Sequence, residues 1–501
     1  MRALLVTSAG VTCAMALTLP LATSATAAPT PDLHSASSRP PSTSPASPGA
    51  GPPAVRAGAA EPAGSTQSLP LAPLAASSDR VAGAPAAQGL PQRDARPFSL
   101  VGVVWDDPEA ELHGTVQVRT RTTGTTRWSE WQDVETHDAE HAADLGSAER
   151  EGRTVRGATA PLWVGDSDGV EVRVRPRSPE ASDHHEHAEP SDHHGSAQPQ
   201  DRAATPVPLP EGLRLELVDP GEDPAPEPAR SAPTGRAAVT PAVFADTPPT
   251  AAVLLEALTA EVAAASAVNA ELAELGATAI PALTQKETLE SVNAAPGAKP
   301  YIGPRPKIIT RKGWGADEKL RERNFAYTKT VKAAFVHHSA TGNNYTCKQA
   351  PSVLRSIYRY HVKSSGWRDF GYNFAVDKCG NIYEGRAGGV SKAVLGAHTL
   401  GFNTNTMGIA VLGSYGSTNP PAAAVTAVSK LTAWKLGLFG ANPKGKVTLV
   451  SGGSNKYKAG VKVSMNVISG HRDGFATECP GARLYKKLGT ARTSSAKLQG
   501  R

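Results

Sequence analysis

Read for the period of its apolar positions, the chain changes character near residue 97. From Pro97 onward the runs FSLVGVVW, GTVQVRTR, RWSEWQDV and GVEVRVRP alternate apolar and polar residues with the two-residue period of half-buried strands. Turn residues such as Asp106-Asp107-Pro108 and Asp166-Ser167-Asp168-Gly169 separate them. With LRLELVDPG at 213–221 they predict a small all-β domain, an antiparallel sandwich or barrel, over residues 97–221. Residues 29–96 are rich in Pro, Ala, Ser and Gly, hold neither period, and are expected to be disordered. Residues 222–305 read as a linker, interrupted where Ala, Leu and Glu at three- and four-residue spacing predict a helix over 250–276.

Strands and helices alternate in the last section. AAFVHHSA reads as a strand, and PSVLRSIYRYHVKS as a helix with Pro351 in its first turn and Val353, Ile357 and Tyr360 on one stripe. YNFAVDKCGNIYEGR predicts a hairpin turning at Gly380-Asn381, and MGIAVLGSY a strand buried on both faces. A second helix over PAAAVTAVSKLTAWKLGLFG and a last strand at NVISGHRD lead into a loop carrying ECPG. The sum is an α/β domain over 306–490, a central mixed β-sheet flanked by helices, with 491–501 as a tail.

Composition adds a compartment. Arg2, the apolar run Ala3 to Leu21 and the A-x-A pattern at Ala25 to Ala27 make residues 1–28 a secretory signal, so the chain is expected to be secreted. No other segment approaches the ~20 apolar residues of a spanning helix, and stable membrane insertion is not expected. Charge is split: residues 301–501 hold 31 basic against 8 acidic side chains, leaving 21 against 38 in the first 300. A basic domain suits an anionic partner. Export removes nucleic acid, leaving anionic lipid headgroups or a wall polymer bearing carboxylates and phosphates. Without the signal three cysteines remain, which in an oxidising compartment implies one pair and one thiol with another task.

The candidate chemistry lies in the basic section. A zinc hydrolase needs three protein ligands and one open position. The section offers five histidines, His337, His338, His361, His398 and His471, besides the cysteines. His337 and His338 are adjacent on a predicted strand and point to opposite faces, so one of them enters a given site; spacing does not say which. Cys479 follows His471 by eight residues, close enough for a loop to return the thiolate to one metal. The histidine-rich stretches at 183–187 and 192–194 offer loose metal affinity but nothing to hold ligand geometry, and read as a solvated loop.

The segments FVHHSAT, GWRDFGYNFAVDKCGNIYEGR, LGAHTLGFNTNTMGIAVLGSY and GHRDGFATECPG, in this order, resemble the zinc-dependent N-acetylmuramoyl-L-alanine amidases of phage type and the peptidoglycan recognition proteins. The resemblance spans roughly residues 306–490. It implies His337, His471 and Cys479 as ligands of Zn²⁺, Tyr372 as hydrogen-bond donor to a tetrahedral oxyanion, and Thr477 as a positioning group where the phage enzymes carry a lysine. The general base stays open, since a hydroxyl is a poor one. By the same analogy His361, His398 and Asn403 line a substrate groove or serve structure, and Cys347 pairs with Cys379.

The implied activity is hydrolysis of the amide between N-acetylmuramic acid and the L-alanine of the peptidoglycan stem peptide, by a monomer at the cell wall. The partners would be the glycan strand and its stem peptide. The alternative is a module that grips peptidoglycan without cutting it; non-hydrolysing relatives commonly lack the cysteine, which this chain keeps. Two departures bear on specificity: AGGV at 387–390 after YEGR, and an insert with five lysines at 442–463 suited to acidic wall polymer. Trp128, Trp131 and Trp163 of the β-rich unit are expected in its core, with sugar stacking as the other reading.

Overall fold

Alternating apolar residues give the first half of the chain a sheet with one face to bury, and the second half supplies the surface that buries it. The computed structural model describes residues 64–74, 87–136, 141–147, 149–177, 207–224, 258–292 and 300–501. The signal segment, residues 29–63 and the histidine-rich insert lie outside these. Residues 61–501 form one compact unit.

The first sheet has eight antiparallel strands: β1 (Ser65–Pro70), β2 (Ala72–Pro73), β3 (Gln88–Trp105), β4 (Gly114–Thr122), β5 (Gln132–Val134), β6 (Gly157–Ala158), β7 (Leu162–Pro176) and β8 (Arg214–Asp219). It starts well before Pro97, so the expectation of disorder over 29–96 is corrected at its C-terminal end. β1 pairs along its whole length with β8, from Ser65 opposite Asp219 to Pro70 opposite Arg214. The strand is half-buried to exposed, and β8 supplies its hydrogen bonds, so a polar sequence without apolar alternation is held there. The polar start of β3 is held the same way by β7.

The remaining elements are α1 (Ala260–Ala267), β9 (Ala279–Ile280), α2 (Gln285–Ser291), β10 (Ile308–Ile309), α3 (Arg311–Trp314), β11 (Ala333–His338), α4 (Ala350–Arg359) running into a π-helical turn, β12 (Phe374–Val376), β13 (Ile382–Glu384), β14 (Thr406–Val411), α5 (Ala422–Leu438), β15 (Lys446–Val450), β16 (Lys462–Asn466), β17 (Ile468–Gly470), α6 (His471–Gly474) and α7 (Ala482–Gln499). Seven strands form the predicted mixed sheet in the order β17-β11-β14-β12-β13-β10-β9, parallel from β17 to β12. β15 and β16 make a separate hairpin from the lysine-rich insert.

Three boundaries move. The linker helix is only α1, capped by Thr259, because the chain turns to bury Asn269, which donates to Glu384 Oε1 at 2.9 Å and accepts from the Val390 N–H at 2.9 Å. Its first predicted residues, 250–257, lie outside the described ones. The segment after it is not loose: β9 extends the sheet beside β10, and α2 closes a capping box between Thr284 and Glu287. The expected tail is the end of α7, which buries Ala491, Ser495 and Ala496 against α5.

The two sheets share a core. Leu100, Val104, Trp163 and Val218 of the first pack with Val353, Leu354 and Ile357 of α4, and the Tyr360 hydroxyl donates to the Thr159 carbonyl at 3.0 Å. Trp163 is thus buried in the seam. Trp128 and Trp131 are not core residues: both are half-exposed, and the Arg173 guanidinium lies 3.9 Å from the Trp131 ring centre.

Cys347 and Cys379 form a disulfide that ties the loop before α4 to the β12–β13 turn, with Cα atoms 6.2 Å apart and a sequence separation of 32. Closing a loop of that length removes about 3–4 kcal/mol of chain entropy from the unfolded state. The Cys347→Ala/Cys379→Ala double variant should lose stability of that order in urea denaturation; an unchanged midpoint would show the bridge to be idle.

Candidate metal centre

Parallel strands deliver the residues at their carboxyl ends to one edge of the sheet, where ligands of open α/β sheets commonly gather. β11 lies between β17 and β14, and His337 sits near its carboxyl end. His471 follows Gly470, the last residue of β17, and opens the one-turn helix α6. The Asp473 carboxylate accepts from the Gly470 N–H at 2.9 Å and turns the chain; Arg472 N–H donates to the Cys479 carbonyl at 3.0 Å and brings Cys479 back. Thr477 Oγ1 accepts from the Cys479 N–H at 3.1 Å, which makes it a support of that return.

The three residues converge with a fourth, His141, and the candidate ligand atoms of all four lie within 4.8 Å of one another. His141 Nε2 is 3.1 Å from His471 Nδ1 and 3.6 Å from Cys479 Sγ, and Cys479 Sγ is 3.8 Å from His337 Nδ1. With metal–ligand bonds of about 2.0 Å to nitrogen and 2.3 Å to sulfur, a tetrahedral zinc site has edges of about 3.3 Å and 3.6 Å. The donor set and its spacing therefore fit zinc.

Electrostatics favours the ligating forms. Burial and the imidazoles of His471 and His141 hold the His337 pKa well below its ordinary value, so the ring is neutral. Burial pushes the Cys479 thiol up, but His338 and His141 outweigh it and lower its pKa toward the thiolate. His338 is buried as well, with Nε2 3.3 Å from Glu135; against the cost of burial, Cys479 and Glu135 raise its pKa to about 10.

Around the cluster the other candidates separate. Tyr372 is buried with its ring centre 5.3 Å from that of His337. His398, fully buried, has its ring 5.4 Å from His337 and its Nδ1 3.0 Å from Thr399 Oγ1; that hydroxyl is 3.4 Å from His337 Nε2, the place of an outer partner that orients a ligating ring. Gly408 of β14 leaves room for the His398 ring, where a Cβ would collide with it. Asn403 accepts from the His398 and Thr399 N–H groups and so holds this turn. His361 stacks on Trp367 at 4.4 Å between ring centres and accepts from the Gly371 N–H. His361, His398 and Asn403 are all buried, and Asn403 donates to the Ala142 carbonyl and the Asp144 carboxylate of the loop that follows β5.

The sequence reading missed His141. It lies in a pattern-free polar stretch between β5 and β6, where a loop of about twenty residues is itself unusual in a compact fold and often functional.

Residues 327–482 match the family described as N-acetylmuramoyl-L-alanine amidase, and residues 53–205 the one described as Rv3811 N-terminal galactose-binding domain-like. The chain is 31% identical over 185 residues to peptidoglycan-recognition protein SC2 of Drosophila melanogaster, covering 36% of this chain and 85% of that protein. It is 31% identical over 189 residues to the human N-acetylmuramoyl-L-alanine amidase, covering 37% of this chain and 28% of that one. Among solved structures, Drosophila PGRP-LB aligns at 25% identity over 36% of this chain and 92% of that one, with a TM-score of 0.29. The chain belongs to the family of N-acetylmuramoyl-L-alanine amidases and peptidoglycan-recognition proteins.

Proposed function

We propose that the protein is a secreted zinc hydrolase that cleaves the amide between N-acetylmuramic acid and L-alanine in peptidoglycan, with His337, His471 and Cys479 as the catalytic metal ligands. The observation that carries this reading is the approach of two imidazoles, that of His337 held neutral, and a lowered-pKa thiol, with ligand atoms within 4.8 Å of one another. A zinc ion in such a set supplies Lewis acidity toward the scissile carbonyl and an activated water near neutral pH. Tyr372, beside His337, is suited to donate to the developing oxyanion, and Thr477 keeps the Cys479 loop in place. A recognition module needs no such ligand set. The human relative that carries the amidase name supports hydrolysis over grip alone. The net positive charge of residues 301–501 suits an acidic wall polymer.

The test is digestion of purified muropeptides by the zinc-loaded full chain and by its His141→Ala variant, read by mass spectrometry. Release of stem peptides with a free L-alanine amino group, abolished by chelator, is the expected result. Muropeptides left intact by both proteins at full zinc occupancy would overturn the reading.

A further inference from the structure

A metal hydrolase keeps one coordination position free of protein ligands, whereas four protein ligands are the signature of a closed site. This chain brings four donors together. Resting on the zinc-hydrolase reading, we propose that His141 is a fourth protein ligand, delivered by the β5–β6 loop to the position that catalysis requires open, and that the chain is thereby latent until this loop is withdrawn.

Three observations carry it. The first is distance: two of the three tetrahedral-edge separations in the cluster belong to His141 Nε2, the 3.1 Å to His471 and the 3.6 Å to Cys479. His141 is 4% exposed, as deep as the residues it joins. The second is anchoring. Immediately after His141, the Ala142 carbonyl and the Asp144 carboxylate both accept from the Asn403 side-chain amide, at 2.9 and 2.7 Å, and Asp144 also accepts from the Gly401 N–H at 2.7 Å. Asn403 is the residue that holds the turn behind His398, so the loop is tied to the frame of the metal site.

Farther along, Glu149 forms an ion pair with Arg386 at 2.6 Å, each side chain 5% exposed. The third observation is coverage. The Arg156 N–H donates to the Ser365 carbonyl at 3.1 Å, and Thr154 passes so close over Gly366, at φ 79°, that a Cβ there would collide with its carbonyl oxygen. The loop therefore crosses the domain from the metal cluster to the end of the π-helical turn. It passes the turn that holds His398 and the segment that follows His361, and on this proposal a substrate chain displaces it to reach the cluster.

Two gripping points and a ligand make a device that opens cooperatively. Losing the ligand frees a metal position, and losing the Glu149–Arg386 pair frees the strap that keeps the ligand in place. The chemistry that competes for His141's position is that of any donor able to reach the metal.

The test uses the full chain loaded with zinc or cobalt. X-ray absorption at the zinc edge should read three imidazoles and one sulfur in the unaltered chain, and two imidazoles, one sulfur and one light atom in His141→Ala. Loss of an outer hydrogen-bond partner alone weakens metal sites 10–100-fold, so zinc release from His141→Ala to a chelator should accelerate by at least about 100-fold. Acetohydroxamate, a bidentate metal probe, should change the visible spectrum of cobalt-loaded His141→Ala at concentrations that leave the unaltered chain unchanged. Glu149→Gln keeps all four donors and should show the resting three-imidazole signature with eased access of the probe. It carries the same test should His141→Ala fold poorly.

Two imidazoles in the unaltered chain, or equal access of the probe to it and to both variants, would overturn the proposal. Muropeptide turnover separates this from the functional reading. His141→Ala should outpace the unaltered chain by at least about tenfold, a modest fraction of the rate enhancement of an open zinc site. Equal turnover overturns latency and leaves the hydrolase standing; no turnover in either, with the coordination change observed, overturns the hydrolase and leaves the fourth ligand standing.

Discussion

Replacing Cys479 by serine should remove zinc from the protein and with it all amide hydrolysis, while the apo fold survives. Serine is nearly isosteric, and Cys479 sits at the end of a loop already positioned by Thr477 and Arg472 through its backbone. What changes is the donor. The thiol is held toward its anionic form by His338 and His141 despite burial, whereas a serine hydroxyl at neutral pH stays protonated and ligates zinc poorly. Zinc affinity should fall by more than about 100-fold, beyond the usual cost of losing an outer partner. Metal content per chain after dialysis measures this directly. Added zinc should raise the melting temperature of the unaltered protein and leave that of Cys479→Ser in place, since only a ligand bound by the folded state stabilises it. A serine variant that retains one zinc per chain would remove Cys479 from the site. The contrast with His141→Ala is informative: both weaken metal binding, but only Cys479→Ser should also abolish turnover.

That contrast marks the limit of what was legible in the sequence. His337, His471 and Cys479 stand in short segments whose strands are built by local apolar periodicity, so their convergence follows from strand order and one tight return loop. His337 rather than His338 enters the cluster, which adjacency on a strand had left open. His141 carries no such signal. It is 196 residues from His337 in the chain, its flanks have no period, and its loop is held by Asn403, which donates to the Ala142 carbonyl, and by Arg368, which donates to the Glu149 carbonyl, contacts that only the assembled fold creates.

The misplaced boundaries share this cause. β1 is a strand because β8 offers an edge, and α1 stops short because Asn269 finds Glu384. In each case a tertiary partner overrode local propensity. Trp128 and Trp131 show the converse: aromatic residues in an alternating run read as core, but arginines cover them at the surface.

Arg311→Ala should be among the most destabilising single changes in the second half of the chain, costing about 3–5 kcal/mol. The Arg311 side chain is 2% exposed at the start of α3, where Thr310 caps the turn by accepting from the Gly313 N–H. Its guanidinium donates to Glu318 Oε1 at 2.7 Å, to Asp369 Oδ1 at 3.0 Å and to the Gly385 carbonyl, and lies 4.8 Å from the Tyr358 ring centre. Burial alone would lower its pKa, but Asp369 and Glu318 outweigh that and raise it, so the charge is fully present. Asp369 in turn accepts from the Phe370 and Ala387 N–H groups. The network therefore fixes the two segments that carry Tyr372 and Arg386.

Alanine would leave Asp369 buried without its cation, while Glu318 keeps Arg321, and the penalty is mostly that of the stranded Asp369 carboxylate. It follows that Arg311→Met combined with Asp369→Asn should recover part of the loss, because the stranded charge is gone and Glu318 keeps Arg321, whereas Arg311→Lys should not, since an ammonium cannot span three acceptors in fork geometry. Urea midpoints of the four proteins decide the matter. A loss below about 1 kcal/mol for Arg311→Ala, the range of exposed ion pairs, would show that water reaches this network and that another contact holds the floor beneath Tyr372.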